Sequence, residues 1–198
     1  NPILNPERHV PWEAFATFNW SPVKKGGKTI VAYRAMSEVA YHEGVHLRLS
    51  TIGVTSATDG AHFKSRRQLI TPQEPWERFG CEDPRVCKVG KDYYIFYTAL
   101  SNFPFNAEGI RTAVVVSSDL VRIKERHLVT PFNSKAMSLF PEKIGGKMAA
   151  SIAARLLQNN WGGKGILPGG IPGVPPAEVV IIGGGVVGTN AARMAVGM

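Results

Sequence analysis

Arg85-Val-Cys-Lys-Val89, Gly90-Lys-Asp92 and Tyr93-Tyr-Ile-Phe-Tyr-Thr98 form one continuous stretch. Two runs rich in β-branched and aromatic residues flank a short segment carrying a glycine and an aspartate, the pattern of a β-hairpin. Working outward, residues 29–34 and 47–56 upstream and 111–118 downstream read as further strands. Residues 142–147 read as the start of another hairpin, because Gly145 and Gly146 are free to take positive φ. No helical period competes over this region. Ile52-Gly-Val-Thr-Ser-Ala-Thr-Asp59 resembles Ala113-Val-Val-Val-Ser-Ser-Asp119, so a strand, small hydroxyl residues and an aspartate recur about 60 residues apart. Repeats of that length built from short strands suit propeller blades. Two ordinary strand-to-turn exits would give the same pattern, since Asp and Ser favour turns.

Composition changes at Lys147. Residues 1–147 carry 34 charged residues and 10 glycines; residues 148–198 carry 4 charged residues and 11 glycines. We therefore place a boundary there, with one domain over 1–147 and a second segment over 148–198. The second segment reads as a helix over 148–159, a Gly/Pro-rich loop over 165–176, a strand over 179–182 and a helix from Thr189 onward. Val179-Val-Ile-Ile-Gly-Gly-Gly-Val-Val-Gly188 is the pattern of a first strand and phosphate turn. Gly183, Gly185 and Gly188 make its G-x-G-x-x-G, whose glycines permit a tight turn and let backbone N–H groups approach a pyrophosphate. A whole unit needs roughly 30 residues, and its ribose-binding acid lies about 20 residues past the glycines. An NAD site built from this segment alone is expected to be incomplete.

The net charge of +8 is not gathered into a nucleic-acid face. Only Lys24-Lys25 and Arg66-Arg67 are adjacent basic residues, so anionic small ligands or solubility explain the charge, and no nucleic-acid partner is expected. Cys81 and Cys87 are too few for a disulfide scaffold and lack metal-site spacing. The expectation is a reduced, cytoplasmic setting with no metal. The start Asn-Pro-Ile-Leu-Asn-Pro has no apolar leader core, and its lack of Met suggests a fragment. The apolar run 179–188 is too short to cross a membrane.

Six motifs in order resemble glycoside hydrolase family 130, the mannoside phosphorylases and related mannosidases. They are Phe18-Asn19, Tyr33-Arg34-Ala35, Ser56-Ala-Thr-Asp-Gly-Ala-His-Phe63, Gly80-Cys-Glu-Asp-Pro-Arg-Val86, Tyr97-Thr-Ala99 and Leu139-Phe-Pro-Glu-Lys-Ile144. The resemblance covers residues 1–147 and implies a mainly β fold: a five-bladed β-propeller, partial in this chain, with an oligosaccharide site at the centre of one face. It implies that Asp83 is the catalytic acid and that Asn19 and Arg34 bind the sugar. In the phosphorylases inorganic phosphate is the nucleophile, so one carboxylic acid suffices. Asp59, with His62, lies on a blade turn and either touches ligand or shapes the site. Tyr94, Tyr97, Trp20 and Trp76 either stack on sugar rings or fill the core. The family continues past its Gly-Lys hairpin with a His-Arg-Pro segment; here Gly146-Lys147 is followed by Met148-Ala-Ala-Ser-Ile152. The phosphate site is thus expected to be incomplete, and phosphorolysis versus hydrolysis stays open.

Residues 148–198 are similar instead to alanine dehydrogenase and its transhydrogenase relatives, over Gly162-Gly-Lys-Gly-Ile-Leu-Pro-Gly-Gly-Ile-Pro-Gly-Val-Pro-Pro-Ala-Glu and the glycine turn that follows. That implies a short α/β Rossmann-like βα fragment. The expectation is a chimeric chain with two to three blades, in which Asn19, Arg34 and Asp83 converge on one pocket and which is inactive alone. The alternatives are an NAD-binding fragment of an amino-acid dehydrogenase and a nonfunctional chimeric fragment. An oligomer is compatible with either.

Overall fold

A computed structural model describes residues 3–139, 146–159, 162–165, 167–170, 172–173 and 175–197. They fall into two compact units, Asn1–Pro141 and Glu142–Met198.

The first unit is built on two four-stranded sheets, each running in chain order. One holds β1 (Ala16–Lys25), β2 (Lys28–His42), β3 (Val45–Ala57) and β4 (Lys64–Ile70). The other holds β5 (Gly80–Val89), β6 (Asp92–Leu100), β7 (Ile110–Ser117) and β8 (Glu125–Leu128). All neighbours are antiparallel, which short hairpin turns permit. The five runs read as strands fall in β2, β3, β5, β6 and β7, the last ending at Ser117, one residue short of the expected end. Strands β1, β4 and β8 were not anticipated. All three are sheet edges, where charge and proline replace the alternating apolar signal: Pro22 lies in β1, β4 is Lys-Ser-Arg-Arg-Gln-Leu-Ile, and β8 is Glu-Arg-His-Leu.

One core joins the sheets. Ile52, Val54 and Ile70 of the first pack with Cys81, Tyr93, Ile95, Tyr97, Ala113 and Val115 of the second. In β6 the buried Tyr93, Ile95, Tyr97 and Ala99 are every second residue, the period of a strand with one face in the core. Each fully buried Ile or Val stabilises the fold by roughly 1.5–3 kcal/mol. On the other face of the first sheet, Leu4, Val31, Tyr33 and Ala35 pack with Trp12, Trp20 and Phe63.

Each sheet also contains a buried acid–phenol–guanidinium network. In the first, the fully buried Glu13 accepts hydrogen bonds from Tyr33 Oη at 2.6 Å and Arg66 Nη1 at 2.9 Å. In the second, the fully buried Glu77 accepts from Tyr97 Oη and Arg126 Nη1. Burial, followed by the neighbouring Glu13, holds the Tyr33 proton far above the ordinary phenol range. Burial likewise leads for Tyr97, followed by Cys81 and Glu77. The phenol therefore stays a donor and the buried carboxylate keeps its partners. A small residue opposite each tyrosine makes room: Tyr33 pairs across the ladder with Gly53 and Tyr97 with Ala113. A Cβ at Gly53 would lie 2.5 Å from Tyr33 Cζ.

In the second unit, α1 (Gly146–Leu156) and α2 (Val186–Val196) are helical. The strand expected over 179–182 is not formed, so only the helical part of the expected βα fragment is present. Val180 and Ile182 are 67% and 70% exposed. A strand needs a neighbour for its N–H and C=O groups, and no strand is present among the described residues of this unit. The last helix begins three residues earlier than expected, after Gly185. The hairpin expected over 142–147 lies outside the described residues up to Gly145, while Gly146 and Lys147 open α1. Among the described residues no helix is long and apolar enough to cross a membrane.

Candidate active site

Strands β1 and β5, the first of each sheet, are interrupted at equivalent places. The β1–β2 register shifts between Phe18 and Ser21, and the β5–β6 register shifts between Glu82 and Arg85. Asn19 and Asp83 sit in these bulges, both at φ 52°. Left-handed backbone costs a residue with a Cβ roughly 1–2 kcal/mol, and Asn and Asp tolerate it best. Bulges re-aim side chains. Here the two side chains meet, Asn19 Nδ2 donating to Asp83 Oδ1 at 2.5 Å although 64 positions separate them.

Arg34, on β2, completes the cluster. Its Nη1 lies 3.4 Å from Asp83 Oδ1, its Nη2 bonds Glu82 Oε1, and its Nε donates to Ser50 Oγ at 3.1 Å. The Phe18 ring lies 4.8 Å from the guanidinium carbon. The Arg34 and Asp83 side chains are 15% and 23% exposed, buried enough to be fixed and open enough to meet a ligand. Glu82 holds its proton more tightly than an ordinary glutamate. Burial is the main cause and Asp83 adds to it, while Arg34, Ser50 and Lys135 oppose it. Arg85, which the sequence sets beside Asp83, turns to the Pro84 carbonyl at 2.9 Å.

Three of the expected sugar-site residues are thus brought together. Asp59 is not with them. Arg34 pairs with Ile52, whereas Ala57 pairs with Thr29 five residues along β2, roughly 17 Å away, and Asp59 lies beyond. There Asp59 accepts the N–H groups of Ala61 and His62, each at 2.9 Å, and pairs with the His62 ring at 2.5 Å. These contacts hold its carboxyl well below the ordinary range. A cavity of about 470 Å³ lies beside Trp12, Tyr41 and Leu47 and is not lined by the trio. Among the aromatic candidates, Tyr97 serves the buried Glu77 network, and Trp20 packs edge-on against Phe63 at 5.9 Å. Ser50 and Lys135 as neighbours of the cluster were not foreseen.

In the second unit Gly183 takes φ +103°, and a Cβ at Gly188 would lie 1.8 Å from the Gly183 carbonyl oxygen. The turn therefore requires glycine at both. Gly185 caps α2 and its carbonyl accepts from Thr189 N at 2.9 Å.

Paired four-stranded meanders that bring an amide and a carboxylate on bulges together with a guanidinium define a propeller-like β class with a polar site. The family model of beta-1,4-mannooligosaccharide phosphorylase matches residues 4–160, and the chain belongs to that family, glycoside hydrolase family 130. The model of the alanine dehydrogenase/PNT C-terminal domain matches residues 149–198, so the chain is chimeric. A Beta-1,2-mannobiose phosphorylase of Thermoanaerobacter sp. is 31% identical over 152 residues, 74% of this chain and 50% of that protein. An alanine dehydrogenase of Methanococcus maripaludis is 61% identical over 56 residues, 28% of this chain and 15% of that enzyme. The chain thus spans about half the length of the first relative and a small part of the second. A solved structure from work on mannoside phosphorylases, whose family contains hydrolases targeting β-1,2 mannosidic linkages in Candida mannan, aligns with TM-score 0.53. It is 27% identical and covers 64% of this chain and 38% of the other.

Proposed function

We propose that residues 1–147 form a β-mannoside site in which Asp83 protonates the glycosidic oxygen while Asn19 and Arg34 bind the sugar. The observation that carries this reading is the meeting of those three side chains from three strands, β1, β2 and β5. The acid gives its proton to the leaving oxygen as the anomeric carbon–oxygen bond breaks. A phosphate oxygen then bonds to that carbon, yielding a mannosyl phosphate and a free acceptor sugar. The family description and the relative both name phosphorylases, which favours phosphate over water as co-substrate. An amide and a guanidinium suit sugar hydroxyls because together they offer several donors and an acceptor. The two free, buried cysteines are consistent with a reduced, cytoplasmic setting.

A second reading, dinucleotide binding by residues 148–198, is favoured by the glycine requirement at Gly183 and Gly188. Those residues and Gly185 fit a pyrophosphate, to which the turn would offer N–H groups. When bound, NAD would supply a hydride acceptor.

One experiment separates the readings. The chain is titrated with β-1,2-mannobiose and, separately, with NAD, and turnover is followed with mannobiose plus phosphate. We expect mannobiose binding that Asn19→Ala and Arg34→Ala each weaken about tenfold, and no turnover by this chain alone; NAD binding that Gly183→Val abolishes would support the second reading. Mannobiose affinity untouched by either substitution would sink the sugar-site reading. Turnover that Asp83→Asn abolishes would overturn the inactivity.

A further inference from the structure

Glu82 has no role in the reading above, yet Arg34, Ser50, Lys135 and Asp83 all act on it. It is anchored on β5 immediately before the bulge, where the ladder still pairs it with Thr98 of β6. Arg34 reaches it from β2, Ser50 from β3 and Lys135 from the segment after β8, and Asp83 is its neighbour on its own strand. Its side chain is 17% exposed, so these groups meet it largely shielded from water. Thr98 occupies the ladder position that Arg34 occupies in the first sheet, and its buried Oγ1 has no partner among the described residues. No second cation on β6 competes with Arg34 for Glu82.

The consequences for Arg34 are geometric. A guanidinium is a flat fork of five N–H donors, so fixing two arms fixes the third. Ser50 takes Nε and Glu82 takes Nη2, which leaves Nη1 at 3.4 Å from Asp83. That distance is longer than a strong charge-assisted bond, roughly 2.7–2.9 Å. Asp83 Oδ1 is at the same time held by Asn19 at 2.5 Å.

We propose that Glu82 is a positioning residue, which anchors Arg34 so that the guanidinium attends Asp83 without closing on it and the acid stays available to a sugar. This rests on the mannoside reading. Without Glu82 the fork rotates onto Asp83 and takes the carboxylate for itself. Protonating Glu82 has the same direction of effect. Because burial lifts its proton affinity, the release sets in at a higher pH than an ordinary glutamate would give.

The test uses the whole chain and two readouts. The first is hydrogen exchange of the Arg34 Nε–H, followed by nitrogen-15 NMR from pH 8 down to about pH 4, the region where carboxylates titrate. The second is the affinity for β-1,2-mannobiose. In the parent chain Nε–H is expected to be protected, with protection falling as Glu82 takes up its proton. Glu82→Ala should speed exchange and weaken mannobiose binding, each by about tenfold. Glu82→Gln mimics the protonated acid, so its exchange should stay at the level the parent chain reaches near about pH 4 and lose its pH dependence. A Glu82→Ala chain that folds and leaves Nε–H exchange unchanged would overturn the proposal. So would a Glu82→Gln chain that keeps the parent pH profile, and this variant alone decides if Glu82→Ala fails to fold. Should mannobiose bind none of the proteins while the exchange pattern holds, the sugar reading fails and the positioning role stands.

Discussion

The two sheets of the first unit have the same frame and different chemistry. Glu13, Tyr33 and Arg66 in one correspond to Glu77, Tyr97 and Arg126 in the other. Gly53 corresponds to Ala113 opposite the tyrosine, and Asp59 to Asp119 in the turn after the third strand. The bulges correspond as well, yet one presents the amide of Asn19 and the other the acid of Asp83. One ladder position beyond, Arg34 stands opposite Phe18 where Thr98 stands opposite Glu82. The buried network builds the sheet and is repeated because each sheet must be built. The bulge residues do no packing and are free to diverge, so a site made from a repeat can hold an acid on one side and a donor on the other.

The harshest way to break this correspondence is to strand the buried acids. Arg66→Ala and Arg126→Ala each leave a carboxylate fully buried without its cation, which costs about 3–5 kcal/mol. Arg126→Ala should be the worse, because that side chain is 8% exposed against 14% for Arg66, while both also donate to a backbone carbonyl, Arg126 to Thr71 at 3.3 Å and Arg66 to Asn5 at 2.6 Å. Urea unfolding at neutral pH reads both. A loss below 1 kcal/mol in either would show that the networks are not equivalent supports.

A smaller effect follows from making the bulges identical. Asn19→Asp would set two carboxylates at the present 2.5 Å contact, where one of them keeps its proton. The new carboxyl has a raised folded-state pKa. Its stability contribution is therefore present below about pH 4, the unfolded value, and is lost as pH rises through the folded value. We expect a deficit of about 1–2 kcal/mol at pH 7 that closes on acidification, measured by urea unfolding at several pH values. A deficit independent of pH would mean that the amide serves the backbone and not the acid.

The smallest effect is at the turns. Asp119 accepts the N–H groups of Val121 and Arg122 at 2.7 and 2.9 Å, as Asp59 does those of Ala61 and His62. Both carboxyls are held below the ordinary range, chiefly by these backbone bonds. Their contribution is present above about pH 4 and is lost as pH falls through the depressed values. Asp59→Asn and Asp119→Asn should therefore each flatten the acid limb of a melting-temperature profile. Asp59→Asn should also reduce its salt dependence, since only Asp59 carries a histidine pair there. Equal salt responses would remove that distinction between the turns.

Much of this was legible in the sequence, for reasons that differ by element. Interior strands such as β6 announce themselves because both neighbours and the core select apolar residues at period two. Edge strands β4 and β8 were missed because half their backbone faces water and charge is favoured there. The convergence of Asn19, Arg34 and Asp83 was expected from the family motifs. The repeat was read only from Asp59 and Asp119, although Pro11-Trp-Glu-Ala-Phe15 returns as Pro75-Trp-Glu-Arg-Phe79. That pattern marks the buried acids Glu13 and Glu77 directly. It was obscured because a Trp-Glu pair before a strand looks like a loop. The strand over 179–182 failed for the opposite reason: its local pattern is strong, but pairing is not a local property.

The correspondence slips by four residues between the second and third strands, since Tyr33 and Gly53 are 20 positions apart and Tyr97 and Ala113 are 16 apart. The surplus lengthens the hairpin of β2 and β3, whose end holds the linker to the second sheet. His42 Nε2 contacts the Arg78 carbonyl at 2.7 Å, and Glu43 pairs with Arg78. Lys25 and Arg67 reach the carbonyls of Asp119 and Leu120 from the other side of the same sheet. Three of these four contacts thus end on backbone carbonyls that any sequence would supply. Neither sheet can lose its order without releasing the other, and the pair should melt in a single cooperative transition.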